Sequence, residues 1–305
     1  MVDTVHLIFL IRKAIFLKSE KKKKKNIISN LIFGLIFFAG FGILIYPMIS
    51  AIYYDYEASN EVNDFNKEVE LLSDQQIKAR IDKAKAYNQS LTGNEALHDA
   101  YSKAQEQEGQ REYAKMLEVH EKIGHVEIPA IHQDIPLFAG TTERVLQKGL
   151  GHLENTSLPV GGKNTHSIIT GHRGLPDKKL FTDLDKMKIG DMIYVHNIQG
   201  ILAYKVERIK VIKPDDFSDL KIKKDTDRLT LLTCTPYMVN SHRLIVTGHR
   251  VPYTPEATGH QSTQEPWWYK FLYVYKNYLI GIGLSIVIYL LYRYFKKYRK
   301  KKVDR

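Results

Sequence analysis

Residues 27–54 hold no charged side chain in 28 consecutive positions, and most of them are apolar. About 20 apolar residues carry a helix across a bilayer, so this stretch is predicted to span a membrane. Residues 272–295 repeat the pattern, with Trp267, Trp268, Tyr269 and Tyr273 at one end, where interfacial aromatics belong. Lys276 interrupts this second span near its outer end, where a lysine stem reaches back to water. Between the two stretches the spacing changes twice. Val62, Phe65, Val69 and Leu72 recur at three- and four-residue steps, the mark of a helix with one buried face. Ser73 and Asp74 stand where a second helix, running through Ala86, needs a cap. Thr92-Gly93-Asn94 breaks the pattern, and residues 110–121 resume helical spacing with Tyr113, Leu117 and His120 on one side. Residues 55–122 are therefore expected to form a helical arm.

From residue 123 the runs become short and β-like, at 125–131, 135–140, 167–172, 191–197, 201–212, 228–234 and 243–251. Pro, Gly, Asp and Asn separate them, and only 143–148 and 180–187 keep helical spacing. Many short strands in 123–255 predict a barrel or a sandwich. A polar linker, 256–271, leads back to the second apolar stretch.

Charge sharpens this picture. The chain of 305 residues carries a net +11, which first points to nucleic acid. Residues 1–26 account for +6 and 293–305 for +7, leaving −2 for everything between. A nucleic-acid surface needs its basic face on the folded body, so that class is set aside. The basic clusters instead flank the two apolar stretches on their outer sides. Lys and Arg stay cytoplasmic, so the N-terminal 1–26 and the tail 296–305 are expected inside, and 55–271 outside. The first stretch is longer than a signal-peptide core and lacks a small-x-small site after it, which favours an uncleaved anchor.

The chain has one cysteine. That excludes a disulfide framework and a cysteine-built metal centre. Cys234 ends an apolar β-like run and precedes Thr235-Pro236, so it is expected at a barrel rim. An exported protein that keeps a single unpaired thiol exposes it to oxidation, which argues for a use. A nucleophilic Cys needs a His to share its proton and a donor for the oxyanion. The chain offers twelve His, and spacing alone does not choose among them.

Thr230-Leu231-Leu232-Thr233-Cys234 resembles the TLxTC signature of the sortases. Thr235-Pro236-Tyr237 with Asn240-Ser241-His242-Arg243-Leu244 is similar to the pilus-assembly class C members. Gly151-His152-Leu153, Thr156-Ser157-Leu158-Pro159 and Thr170-Gly171-His172-Arg173-Gly174-Leu175-Pro176 match the same family in the same order. The resemblance covers roughly 45–255. It implies a mainly β fold: a sortase-type closed β-barrel with short helices, preceded by a helical arm carrying a lid and flanked by two transmembrane helices. It implies Cys234 as nucleophile, His172 as the proton-handling residue and Arg243 as the brace for substrate or oxyanion. The implied reaction is transpeptidation: cleavage of an LPXTG-like sorting signal of a pilin, a thioester at Cys234, and transfer to a Lys amine of another pilin. No cofactor and no metal are implied, and the catalytic domain is expected to be monomeric.

The same resemblance implies a lid, an Asp-Pro-aromatic tripeptide over the site. Here Asp99-Ala100-Tyr101 stands at the matching distance, with Ala in place of Pro. Asp99 is expected to pair with Arg243 and Tyr101 to cover Cys234, with a looser turn than Pro would give. A second Thr-Gly-His-Arg string, 247–250, is expected to lie outside the catalytic set. Two other readings stay open: a wall-anchoring sortase, and a cysteine protease in which water resolves the thioester. The papain-type and caspase-type cysteine strings are absent.

Overall fold

In the computed structural model, the described residues are 2–91, 97, 99, 101, 113–175 and 178–254, with 276, 279–284, 287, 291 and 294 beyond them. The Thr92-Gly93-Asn94 break, Ala100, the linker 256–271 and the tail 296–305 lie outside this set. Two compact units divide the chain, 1–50 and 51–305.

Helix α1 runs Val2–Glu70 and α2 runs Asp74–Ser90. Ser73 closes a capping box: its hydroxyl accepts from the Gln76 amide, and the Gln76 side chain returns to the Ser73 amide. Within the second unit, the α1 positions Ala58, Val62 and Phe65 are buried, as the three- and four-residue spacing predicts. On α2, Asn88 clamps the peptide of Leu158, donating to its carbonyl at 3.0 Å and accepting from its amide at 2.7 Å. Among the described residues no helix is long and apolar enough to cross a membrane. Several described side chains between Ile28 and Tyr56, among them Leu35, Phe38 and Ile43, are exposed apolar groups.

Eight strands close into a barrel: β1 Lys122–Ile128, β2 Gln133–Ala139, β3 Leu150–His152, β4 Thr165–Thr170, β5 Met192–Asn197, β6 Gly200–Ile212, β7 Asp227–Thr235 and β8 His242–Val251. The order round the barrel is β1-β2-β3-β4-β7-β8-β6-β5. The pairs β2–β3 and β4–β7 are parallel and the others antiparallel. All six residues of β4 are buried, as expected for a strand between two neighbours with both faces covered. Gly124 sits at φ 155° in a bulge of β1, where a Cβ would meet the His196 carbonyl oxygen at 2.2 Å. The barrel is filled by Ile123, Leu137, Leu150, Ile169, Val195, Tyr204, Leu231 and Val246, all nearly inaccessible.

Two stretches depart from the expected helices. In 113–121 only Ala114–Met116 winds, as one 3-10 turn. Val119 and Lys122 then exchange backbone hydrogen bonds around His120 and Glu121, which take φ of 47° and 68°. That is a tight hairpin of the primed kind, and it points His120 to solvent while Tyr113 and Leu117 stay buried. In 180–187 only Leu184–Lys186 is helical, again as a single 3-10 turn. Helix α3, Glu143–Lys148, forms as expected.

Candidate active site

The strand registers bring three of the expected residues to one end of the barrel. In the parallel β4–β7 pair, Thr170 lies opposite Leu232. Two residues further along each chain, His172 and Cys234 leave the pair on the same level. In the antiparallel β7–β8 pair, Cys234 faces Arg243 directly. Both Cys234 and Arg243 are buried, whereas His242, one residue earlier on β8, points to solvent.

Short hydrogen bonds stitch the loops that carry these groups. Thr233 donates to the Gly171 carbonyl at 2.7 Å. Arg173 donates through Nη1 to Thr235 Oγ1 at 2.9 Å, through Nε to the Thr182 carbonyl, and pairs through Nη2 with Asp185 at 2.6 Å. Its side chain is only 7% exposed. This guanidinium therefore ties the residue after His172 to the residue after Cys234. Sequence reasoning overlooked this brace, although it is the last letter of the Thr170–Arg173 string. Gly171 has no room for a side chain: a Cβ would meet Leu150 at 2.5 Å and Phe181 at 3.0 Å.

Residues 99 and 101 cover this end. Asp99 grips Arg243 with both oxygens, Nε–Oδ1 at 2.7 Å and Nη2–Oδ2 at 2.5 Å. The Tyr101 hydroxyl donates to the Gly171 carbonyl at 2.6 Å and accepts from Thr170 Oγ1 at 2.8 Å. Its ring lies against His172, centroids 5.6 Å apart, and under the Arg243 guanidinium, 5.2 Å from Cζ. Burial pushes the Cys234 thiol up to about 11; Arg243 pulls it down and Asp99 pushes it further up. Burial works against the Arg243 charge, but the Asp99 hydrogen bond, Cys234 and Tyr101 outweigh it and hold the guanidinium above its ordinary range. A carboxylate that occupies the cation facing the thiol across two strands, and an aromatic ring against the imidazole, give a closed and chemically quiet site.

One group sequence reasoning did not name also meets His172. Nε2 of His172 is buried and, among the described residues, has no hydrogen-bond partner. It lies 3.3 Å from Oε1 of Glu143 on α3, close enough for an ion pair but misaligned for a hydrogen bond. His249, His152 and His166 lie elsewhere. His249, of the second Thr-Gly-His-Arg string, sits opposite Arg228 and pairs with Glu207 at 3.3 Å, about 20 Å along β8 from Arg243. His152 and His166 are buried in hydrogen bonds to Ser157 and Lys221 carbonyls. Among the described residues no cluster of His, Cys, Asp and Glu has the arrangement of a metal site.

A barrel of this order with a Cys and an Arg paired across two strands defines a class, and comparison with known proteins gives it a name. Residues 126–251 match the model of the sortase domain. The chain is 53% identical to the crystal structure of sortase C-1 from Streptococcus pneumoniae, covering 64% of this chain and 100% of that one at a TM-score of 0.62. It is 52% identical to the pilus-related sortase C of Group B Streptococcus, covering 63% and 97% at 0.60. Sortase D of Bacillus subtilis (strain 168) is 30% identical over 131 residues, 42% of this chain and 63% of that protein. The chain thus spans less than two thirds of that curated relative. It belongs to the sortase family of cysteine transpeptidases. Within the family its solved neighbours at about half identity are class C sortases, and so is this chain.

Proposed function

We propose that this chain is a membrane-anchored transpeptidase that joins pilin subunits, held inactive by its own lid. The observation that carries the reading is the bidentate Asp99–Arg243 pair laid over Cys234. The plug accounts for a thiol kept protonated until a substrate opens the site. The pilus-related neighbour supports the same class of substrate.

In the proposed cycle a pilin sorting segment resembling LPXTG displaces the lid. Asp99 leaves Arg243, and Tyr101 leaves His172. The Cys234 thiolate attacks the Thr carbonyl carbon, and the Arg243 guanidinium, charged throughout, stabilises the oxyanion. His172, as imidazolium, gives its proton to the departing Gly amine, so the peptide bond breaks and a thioester remains. A Lys amine of a second pilin then attacks the thioester and yields a proton to His172. Cys234 departs as thiolate, and an isopeptide bond has replaced the peptide bond. Bond energy is conserved, so no nucleotide is required. The apolar stretches 27–54 and 272–295 anchor the enzyme, with both termini in the cytoplasm and the barrel outside. Basic clusters on their outer sides and exposed apolar side chains such as Leu35, Phe38 and Ile43 support this placement.

The test uses the full chain in detergent as wild type, Cys234→Ala and Tyr101→Ala. Each is incubated with an LPXTG-type peptide and weighed intact. The expected result is an acyl adduct that is strongest in Tyr101→Ala, absent in Cys234→Ala, and transferable to a Lys-bearing pilin. Release of the acyl group only to water, with a competent pilin present, would replace this reading with a protease.

A further inference from the structure

Glu143 has no role in the mechanism above, yet its carboxylate lies beside the buried nitrogen of His172 that has no hydrogen bond among the described residues. The placement is built rather than incidental. Leu146, 1% exposed, nails α3 to the barrel. Gln147, one turn after Glu143, donates to the same Oε1 at 2.6 Å and orients it. Oε1 is thereby fixed 3.3 Å from Nε2. A buried imidazole nitrogen without a hydrogen bond is costly, and here it is left so while Tyr101 lies against the ring. Once Tyr101 leaves, a small turn of the ring completes a charge-assisted hydrogen bond from Nε2 to Oε1.

We infer that Glu143 is a positioning residue for His172: with the lid open its carboxylate pairs with Nε2 of the imidazolium, fixes the ring and leaves the proton on the other ring nitrogen for the leaving amine. This rests on the transpeptidase reading for its purpose, but not for its geometry. The Tyr101 ring also lies against His172, centroids 5.6 Å apart. Among the described residues Glu143 is the acid shown in contact with the ring.

The experiment uses the full chain carrying Tyr101→Ala, with and without Glu143→Gln, and with Glu143→Asp as the charge-keeping variant. Two rates are recorded at pH 7.5. One is alkylation of the single cysteine by iodoacetamide, followed by intact mass, which needs no substrate. The other is kcat/KM for acyl transfer from a sorting peptide. In Glu143→Gln, alkylation is expected to slow about two- to threefold, since the imidazolium that keeps the thiol as thiolate loses a carboxylate partner that is itself largely exposed and partly screened. kcat/KM is expected to fall about three- to tenfold, mainly in kcat, and Glu143→Asp to recover part of both changes. An alkylation rate that stays unchanged in Glu143→Gln overturns the inference, whatever the loss of acyl transfer. Alkylation slowed in Glu143→Gln and recovered in Glu143→Asp, in a protein that acylates no sorting peptide, keeps the inference and sinks the transpeptidase reading instead.

Discussion

At the scale of single residues the site is governed by who holds Arg243. In the closed state Asp99 does, and the thiol stands at about 11, almost wholly protonated at neutral pH. Exchange of Asp99 for Asn removes the carboxylate that pushes the thiol up and frees the guanidinium that pulls it down. The thiolate fraction grows tenfold for each unit by which the midpoint falls. Asp99→Asn is therefore expected to speed iodoacetamide alkylation at pH 7.5 by about tenfold or more and to shift its midpoint acidward. An unchanged rate would mean that residues 99 and 101 do not guard the thiol. Arg243→Lys separates guarding from catalysis. An ammonium cannot bridge both oxygens of Asp99 as the planar guanidinium does, so alkylation is expected to accelerate. Acyl transfer is expected to drop about a hundredfold, because in the proposed mechanism the oxyanion loses its fork of donors. Opposite movements of the two rates from one substitution are the signature of a residue shared by lid and mechanism.

At the scale of elements, the grip of the arm on the barrel is testable through Asn88. Its side chain satisfies both polar groups of the buried Leu158 peptide, so Asn88→Ala is expected to cost about 1–3 kcal/mol in denaturant unfolding. A loss near zero would mean that water replaces the amide there. Asn88 was not singled out from the sequence, because a polar residue near a helix end carries no sign of a partner 70 residues away. The elements that were legible have long, patterned runs or a clear cap: the α1 face, the start of α2, and seven of eight strands. The missing strand, β3, is three residues with a central glycine, and it is a strand only because β2 and β4 pair with it. The 110–121 reading failed at His120 and Glu121, whose left-handed backbone is imposed by the hairpin into β1 and not by either residue's propensity. Cys234, His172 and Arg243, which the fold brings to one end of the barrel, could be singled out because their motifs are contiguous. Glu143 and Arg173 were not, since their meaning arises only when α3 and the loop after β4 fold against the same rim.

At the scale of the whole molecule two properties follow from where protons and charges sit. Burial holds His152 and His166 down at about 4, neutral in the barrel wall. Above about pH 6.5 both histidines are neutral folded and unfolded, and pH has no leverage on stability. Between about 6.5 and 4 the unfolded chain binds protons that the native chain refuses, so stability falls as pH falls. The full effect approaches about 3 kcal/mol for each site. Melting temperature is expected to decline across that window, and His166→Gln to flatten the decline; a profile unchanged by the substitution would reject the assignment for His166. The second is the membrane topology proposed above. Moving the two basic termini across a membrane costs more than leaving them, and the two clusters, +6 before the first apolar stretch and +7 at the end of the second, demand the same side. The body between them, close to neutral, is free to be exported. In a Cys234→Ala background, Ser19→Cys lies before the first stretch and Gln75→Cys on the exposed side of α2. A membrane-impermeant maleimide added to intact cells is expected to label Gln75→Cys and to spare Ser19→Cys until the cells are lysed. Labelling of both before lysis would mean that 27–54 does not span. Labelling of Ser19→Cys alone would invert the orientation and leave the barrel on the wrong side of the membrane for any surface substrate.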